Sequence, residues 1–521
     1  MASYLILPNE LKDLINLSQQ DISRLSRTSK SMRKALLPQL LKRISLSWEQ
    51  SEPPPCISSL LRLVLQSPDL AMNVEELNFY GIGYKIGDPE GKGHCAWRYI
   101  TEDGYGYYQS QDYGDEEYQD EERPEVDGSV TGCKPLLEKA IRSMKLSEDK
   151  QGLMLGGLGE LDLIIALIIV NCPNLKVLRL GVNFLHRNTF LTNTLHHFLG
   201  LEAGSSTCAL AKLEKVYLAK DMLGWFRVVE EPVVIPLSSC LPFFYLPSLE
   251  IFSMPPTDRL LVSTSPSPPT EWPTTTPPIS AIRRLDLHST RVKPASLAFI
   301  LAQTPHLENL RYNYCCNDGM LDCTGLRSAL DFVSGTLTEL IIAFEIYEYE
   351  SCEEEHVPSS WRKDDRWNIG VEGPGSLAPL SRLTTLEIAL GVLLGRKRDD
   401  VGLGLEDVLP SGLEEICVRD DCMRDWGMRW EDEETIEEVG RWLKSKSRKT
   451  CTPSIKRLGV RVCETGYEQW GEQWQNSLEQ ICEAEDVKFW FERRIPGYEW
   501  DTSLKRYEKV DNPLQFPWSG W

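Results

Sequence analysis

The residues that could do chemistry here are the fifteen cysteines, the seven histidines and a large stock of acids. They could hold a metal, act as nucleophile and base, or share a proton as a carboxylate pair. Their spacing supports none of these. No Cys-x-x-Cys pair occurs, so zinc-finger spacing is absent. His196 and His197 are adjacent, which puts them on different faces of a helix, and they read as surface histidines. Cys315 and Cys316 would point opposite ways on a strand. Gly391-Val-Leu-Leu-Gly395-Arg-Lys397 imitates a phosphate loop, but it has three residues between the glycines and no Lys-Ser/Thr pair. Acids are too frequent in this composition to single out a general acid and its base. The sequence therefore predicts no catalytic residue, no metal and no cofactor.

The elements between these residues carry more information. In Pro294–Cys315, Leu297, Ile300 and Leu301 share one helical face, Thr304-Pro305 stops the helix, and Leu307-x-x-Leu310-x-Tyr312 alternates as a strand does. The same apolar-x-x-apolar-x-apolar pattern starts at Leu41, Val74, Leu175, Leu213, Leu249, Ile282, Leu307, Leu337, Leu383, Leu413 and Ile455. With about two fifths of residues apolar, such a loose pattern arises often by chance. Its context is what makes it informative: seven of the eleven have a proline two to four residues upstream (Pro38, Pro173, Pro247, Pro305, Pro379, Pro410 and Pro453). Several carry a small hydrogen-bonding residue three positions after the last apolar one, at Asn183, Thr290, Cys315 and Cys463. Leu175–Leu185 fits L-x-x-L-x-L-x-x-N/C-x-L at every defined position, and the chain resembles leucine-rich-repeat proteins. The expected fold class is α/β, an irregular leucine-rich-repeat solenoid or horseshoe over 49–462, in which each unit packs on its neighbours. The non-apolar strand positions (Lys176, Arg179, Glu214, Tyr217, Arg283, Asp286, Glu308 and Arg311) are expected to face solvent and to offer contacts.

Residues 1–48 differ. They carry eight Lys/Arg against three Asp/Glu, a net +5 within a chain of −21, so the remainder carries −26. Pro8 suits a first helical turn with Glu10 at its positive end, and Ser18 or Asp21 offers a second helix start. The run LPNEL, then Ile15, then DISRLSRTSKSMR and LLPQLLKRISL, resembles an F-box, a small all-α motif. The resemblance implies docking on a Skp-family adaptor, and through it on a cullin, of a ubiquitin ligase. It points to Leu7, Pro8, Leu11, Ile15, Ile22 and Leu25 for adaptor contact or for the motif's own core. The Pro8-to-Asp21 interval is about two residues shorter than the family pattern, with Ile22 and Thr28 where Leu and Val are commoner. An F-box running straight into leucine-rich repeats resembles fungal substrate receptors of such ligases, which implies an unknown protein substrate on the strand face or its rim. The other reading is a leucine-rich-repeat scaffold whose N-terminal helices only cap the array. An enzyme concealed in irregular repeats is the third.

Residues 81–134 interrupt the pattern, and Glu102–Asp127 holds eleven acids, five tyrosines and a single base, Arg123, which reads as a solvated insertion. A Pro/Ser/Thr-rich loop spans 263–278, with Ser265-Pro266 and Ser267-Pro268 as possible phosphorylation sites. Glu345–Glu355 is a second acidic insertion, and Glu431–Glu438 reads as a helix start before Val439 and Trp442. Beyond Cys463 the repeats are expected to cease, with 463–521 a tryptophan-rich cap and tail opened by a helix through Trp474, Leu478 and Cys482. The net charge of −21 argues against nucleic acid or an anionic membrane as partner. Leu161–Val170, the most apolar segment, is about half the length that spans a bilayer. Without a signal-like N-terminus, the cysteines read as reduced thiols in the cytoplasm or nucleus.

Overall fold

The structure is a computed structural model. It describes residues 27–49, 57–82, 134–156 (except 145 and 147), 161–181, 189–198, 210–218, 237–254, 272, 277, 279–316 (except 291), 322–346, 373–395, 403–420, 432–463, 472–494, 498–501 and 506–509. Residues 83–133, most of 263–278 and 347–372 lie outside the described residues, and so do the six residues expected at the adaptor contact.

The protein is mixed α/β, organised on one twelve-stranded parallel sheet whose strands follow one another in sequence order. They are β1 (Arg43–Glu49), β2 (Glu76–Ile82), β3 (Val177–Leu180), β4 (Lys215–Leu218), β5 (Ile251–Met254), β6 (Arg284–Thr290), β7 (Asn309–Cys316), β8 (Glu339–Ile346), β9 (Thr385–Ala389), β10 (Glu415–Arg419), β11 (Arg457–Cys463) and β12 (Lys488–Arg494). Parallel neighbours need a crossover rather than a hairpin, and among the described residues helices lie in all the crossovers but β5–β6 and β8–β9. Ile57–Gln66 leads to β2, Leu161–Val170 to β3, Pro294–Leu301 to β7 and Asp432–Lys444 to β11. A separate antiparallel pair, β13 (Tyr498–Asp501) and β14 (Arg506–Lys509), follows.

The apolar pattern and the register coincide. The middle apolar residues of all eleven matches stand in one row across the sheet: Ile44, Leu77, Leu178, Val216, Phe252, Leu285, Leu310, Leu340, Leu386, Ile416 and Leu458. Those from Leu77 to Leu458 are buried and belong to one continuous core with the helices. In Ile57–Gln66 the buried residues Ile57, Leu61 and Val64 repeat at helical spacing. The helix Leu161–Val170 is apolar on every side from Leu163 onward and buried there, as expected for a core helix. Phe243, Phe244, Phe252 and Phe299 form an aromatic part of this core, onto which Trp272 stacks 4.5 Å from Phe299.

A polar rail locks the register at the start of the strands. The Glu75 carbonyl accepts from both Lys176 N–H (2.8 Å) and Val177 N–H (3.0 Å), and the Lys176 carbonyl accepts from Glu214 and Lys215 in the same way. The device recurs, strand by strand, at Glu214, Glu250, Arg283, Glu308, Thr338, Thr384 and Glu414. The side chains along it alternate in charge in places, pairing Glu75 with Lys42 (3.6 Å) and Lys176 (3.1 Å), and Glu414 with Lys456 (2.9 Å). Slipping one strand by a residue would break the rail and turn the apolar rows to the wrong face.

Two expectations need correction. Pro38 does not end a helix: it lies inside Lys30–Lys42, which runs directly into β1. The sheet also continues past Cys463, because β12 pairs with β11 in full register from Arg457↔Lys488 to Cys463↔Arg494. The apolar pattern fails there for a local reason. Asp486 stands where Ile455 stands in the preceding unit, and it adopts a positive φ of 57°. Val487 takes the buried place one residue later. Among the described residues, no helix is long and apolar enough to cross a membrane.

Candidate interaction face

Alternate residues of each strand point away from the helices. The central row of that face reads Ser45, Asn78, Arg179, Tyr217, Ser253, Asp286, Arg311, Ile341, Glu387, Cys417, Gly459 and Trp490. Polar and aromatic groups dominate it, and ion pairs that bridge strands organise it into two networks.

The first lies on β1–β6. The Glu76 carboxylate accepts from Arg43 Nε (2.6 Å) and pairs with Arg179, and Asn78 Oδ1 accepts from Arg179 Nη1 at 3.0 Å. The Arg179 guanidinium lies 5.0 Å from the centre of the Tyr217 ring. Burial raises the Tyr217 hydroxyl pKa, against the lowering effect of Arg179 and Arg284. Arg284 Nε bonds Asp286 at 3.1 Å, and His288 Nε2 lies 3.0 Å from Ser253 Oγ. A histidine on a serine hydroxyl resembles half of a nucleophilic site, but Ser253 is 0% exposed and presents nothing to a substrate.

The second network spans β9–β12. Glu387, 5% exposed, pairs with both Arg419 and Arg461. Arg461 also bonds Glu492 (2.7 Å) and lies 5.5 Å from the Trp490 ring centre. The indole N–H of Trp490 donates to Glu415 at 3.0 Å, and Glu415 pairs with Arg457. Burial alone would raise the Glu387 carboxyl, but the two guanidinium groups outweigh it and hold it near 2, down from 4.5.

Trp490 lies across Gly459, where any side chain would overlap the indole carbons. Glycine is needed here for that close approach. Gly459→Ala should push the ring off its seat, break the bond to Glu415 and cost about 1–3 kcal/mol. Urea melts would measure the cost, and a shift of the tryptophan emission would report the displaced ring.

These networks hold charge in place. Glu387 stays ionised at neutral pH, unlike a general acid. Burial pushes the Cys172 thiol up to about 12 and the Cys482 thiol up to about 11, so neither is a ready thiolate. Among the described residues no group of three His, Cys, Asp or Glu could hold a metal ion. Gly391–Leu394 belongs to a short helix, Leu390–Leu394, in which Leu390, Gly391, Val392 and Leu393 are buried, so no phosphate cradle exists there. His197 is half-buried rather than a surface residue, its Nε2 2.9 Å from the Met144 carbonyl.

Of the expected contact residues, Arg283 is exposed, and Lys176, Arg179, Glu214, Tyr217, Glu308 and Arg311 are half-buried. Asp286 departs from expectation: it is 3% exposed, between Ser253 and Arg311 in the row, and it pairs with Arg284 on its own strand. The Glu387–Arg419–Arg461–Trp490 network was not anticipated. Its only sequence signal is that Arg419 and Arg461 both directly follow the last apolar residue of a match (Val418 and Val460), while Glu387 stands inside one. Comparison with known proteins finds no family model that matches the chain and no curated protein that matches it.

Proposed function

We propose that the chain is the substrate receptor of a Skp/cullin/F-box ubiquitin ligase, with a leucine-rich-repeat solenoid as its substrate-holding body. Leu7, Pro8, Leu11, Ile15, Ile22 and Leu25 would recruit the adaptor, and the strand face would hold a protein substrate. The receptor does no chemistry; it supplies proximity and orientation. Such a protein works in the cytoplasm or nucleus.

The observation that carries this reading is the helix Lys30–Lys42. It holds Met32, Leu36, Leu37, Leu40 and Leu41, all of them half-buried, and none of its residues is fully buried. A helix that only capped the array would sink those side chains into it. This one keeps apolar surface for a partner, and it joins β1 with no linker, so a partner held there keeps a fixed distance from the strand face.

The test is co-purification with a Skp-family adaptor, for the wild type and for Pro8→Ala with Ile22→Asp. The proposal expects stoichiometric capture by the wild type and loss in the double variant with an unchanged circular dichroism spectrum. Equal capture by both would show that the adaptor binds elsewhere.

A further inference from the structure

We propose that the strand face of β3–β7 binds an acidic, extended segment of a partner protein about six residues long. This deepens the receptor reading and rests on it for the role of the segment as part of the substrate. The chain as a whole carries −21. Across β3–β7, however, the described residues of this face hold four bases, Arg179, Lys215, Arg284 and Arg311, against one acid, Asp286. A face of that sign on an acidic protein attracts an acidic ligand locally while the rest of the molecule repels it, which gives orientation as well as affinity.

The bases are also spaced for such a ligand. Arg179 and Arg311 stand four strands apart in one register row, roughly 19 Å at the usual strand separation. An extended peptide rises about 3.3 Å per residue, so roughly six residues cover that distance. Arg179 and Arg284 already hold acids of their own sheet, Glu76 and Asp286. Each guanidinium is a planar fork of N–H donors, and these pairs fix the orientation of the fork on the face. Tyr217, half-buried and flanked by the same two arginines, adds a rigid aromatic surface next to Arg179 in the row.

The measurement is fluorescence anisotropy on the full chain, with a fluorescein-labelled peptide of six consecutive glutamates flanked by Gly-Ser. Saturable binding that weakens as salt rises is expected. Lys215→Glu with Arg311→Glu should weaken it at least tenfold, and Lys444→Glu with Lys446→Glu, exposed at the end of the helix Asp432–Lys444 and in the turn after it, should leave it unchanged. If the first pair disturbs the circular dichroism spectrum, Lys215→Gln with Arg311→Gln replaces it, with a loss of at least threefold expected. Absence of saturation by the wild type, equal loss in the turn variant, or tighter binding of a single-stranded oligonucleotide of equal charge would overturn the proposal. Adaptor capture by the same preparations separates the two ideas. Capture without peptide binding sinks this one alone, and peptide binding without capture sinks the receptor reading alone.

Discussion

Glu387→Gln should destabilise the protein by about 3–5 kcal/mol, the usual result of removing one member of a buried ion pair. The carboxylate sits between Arg419 and Arg461, all three nearly excluded from water. The amide keeps the shape but leaves two guanidinium groups facing each other without their shared anion. Urea denaturation followed by tryptophan emission would measure the loss, and a change below 0.5 kcal/mol would show that solvent screens the network. The pH dependence has a definite sign. The folded carboxyl titrates near 2 and the ordinary value is 4.5, so the stabilisation is fully present above about pH 4.5 and disappears as pH falls through 2. Glu387→Gln should therefore flatten the acid limb of the stability profile in that window and leave its shape between pH 6 and 8 unchanged.

Trp442→Ala should cost a similar amount, about 3–5 kcal/mol, for a different reason. Among the described residues Trp442 is the largest fully buried side chain, at 0% exposure on the helix Asp432–Lys444, which packs against the helix Glu472–Ala484. Gly440 faces Ile481 across that contact, where an added Cβ would lie 3.1 Å from the isoleucine Cδ1. Helices this close have little room to collapse into the space an indole leaves. Among the described residues the indole N–H of Trp442 has no hydrogen-bond partner. Trp442→Phe should thus lose packing but no hydrogen bond, and cost less than about 1.5 kcal/mol. Thermal melts of both variants decide the matter. Equal losses for phenylalanine and alanine would mean that the N–H, not the ring, holds the helix.

The sheet was legible in the sequence because its signal is geometric. A parallel strand feeding a packed helix must place apolar residues at fixed offsets, and all eleven middle positions, Ile44 to Leu458, fell in one row. The twelfth strand escaped because Asp486, with its positive φ, breaks the offset by one residue. Pro38 misled for the converse reason: proline discourages a helix without forbidding one, and Lys30–Lys42 absorbs it. The face was less legible. Exposed strand positions carry no periodic constraint, and partners such as Glu387 and Arg461 are far apart in the chain until the register joins them. Asp286 reads as a surface acid until the register places it between Ser253 and Arg311 of the neighbouring strands.

The most direct test of the receptor account is a calorimetric titration of the purified full chain with a Skp-family adaptor. The account predicts one adaptor per chain with a Kd below about 1 µM, equivalent to roughly −8 kcal/mol. An absence of binding at adaptor concentrations of about 100 µM would contradict it and leave the chain a scaffold that holds its partners directly.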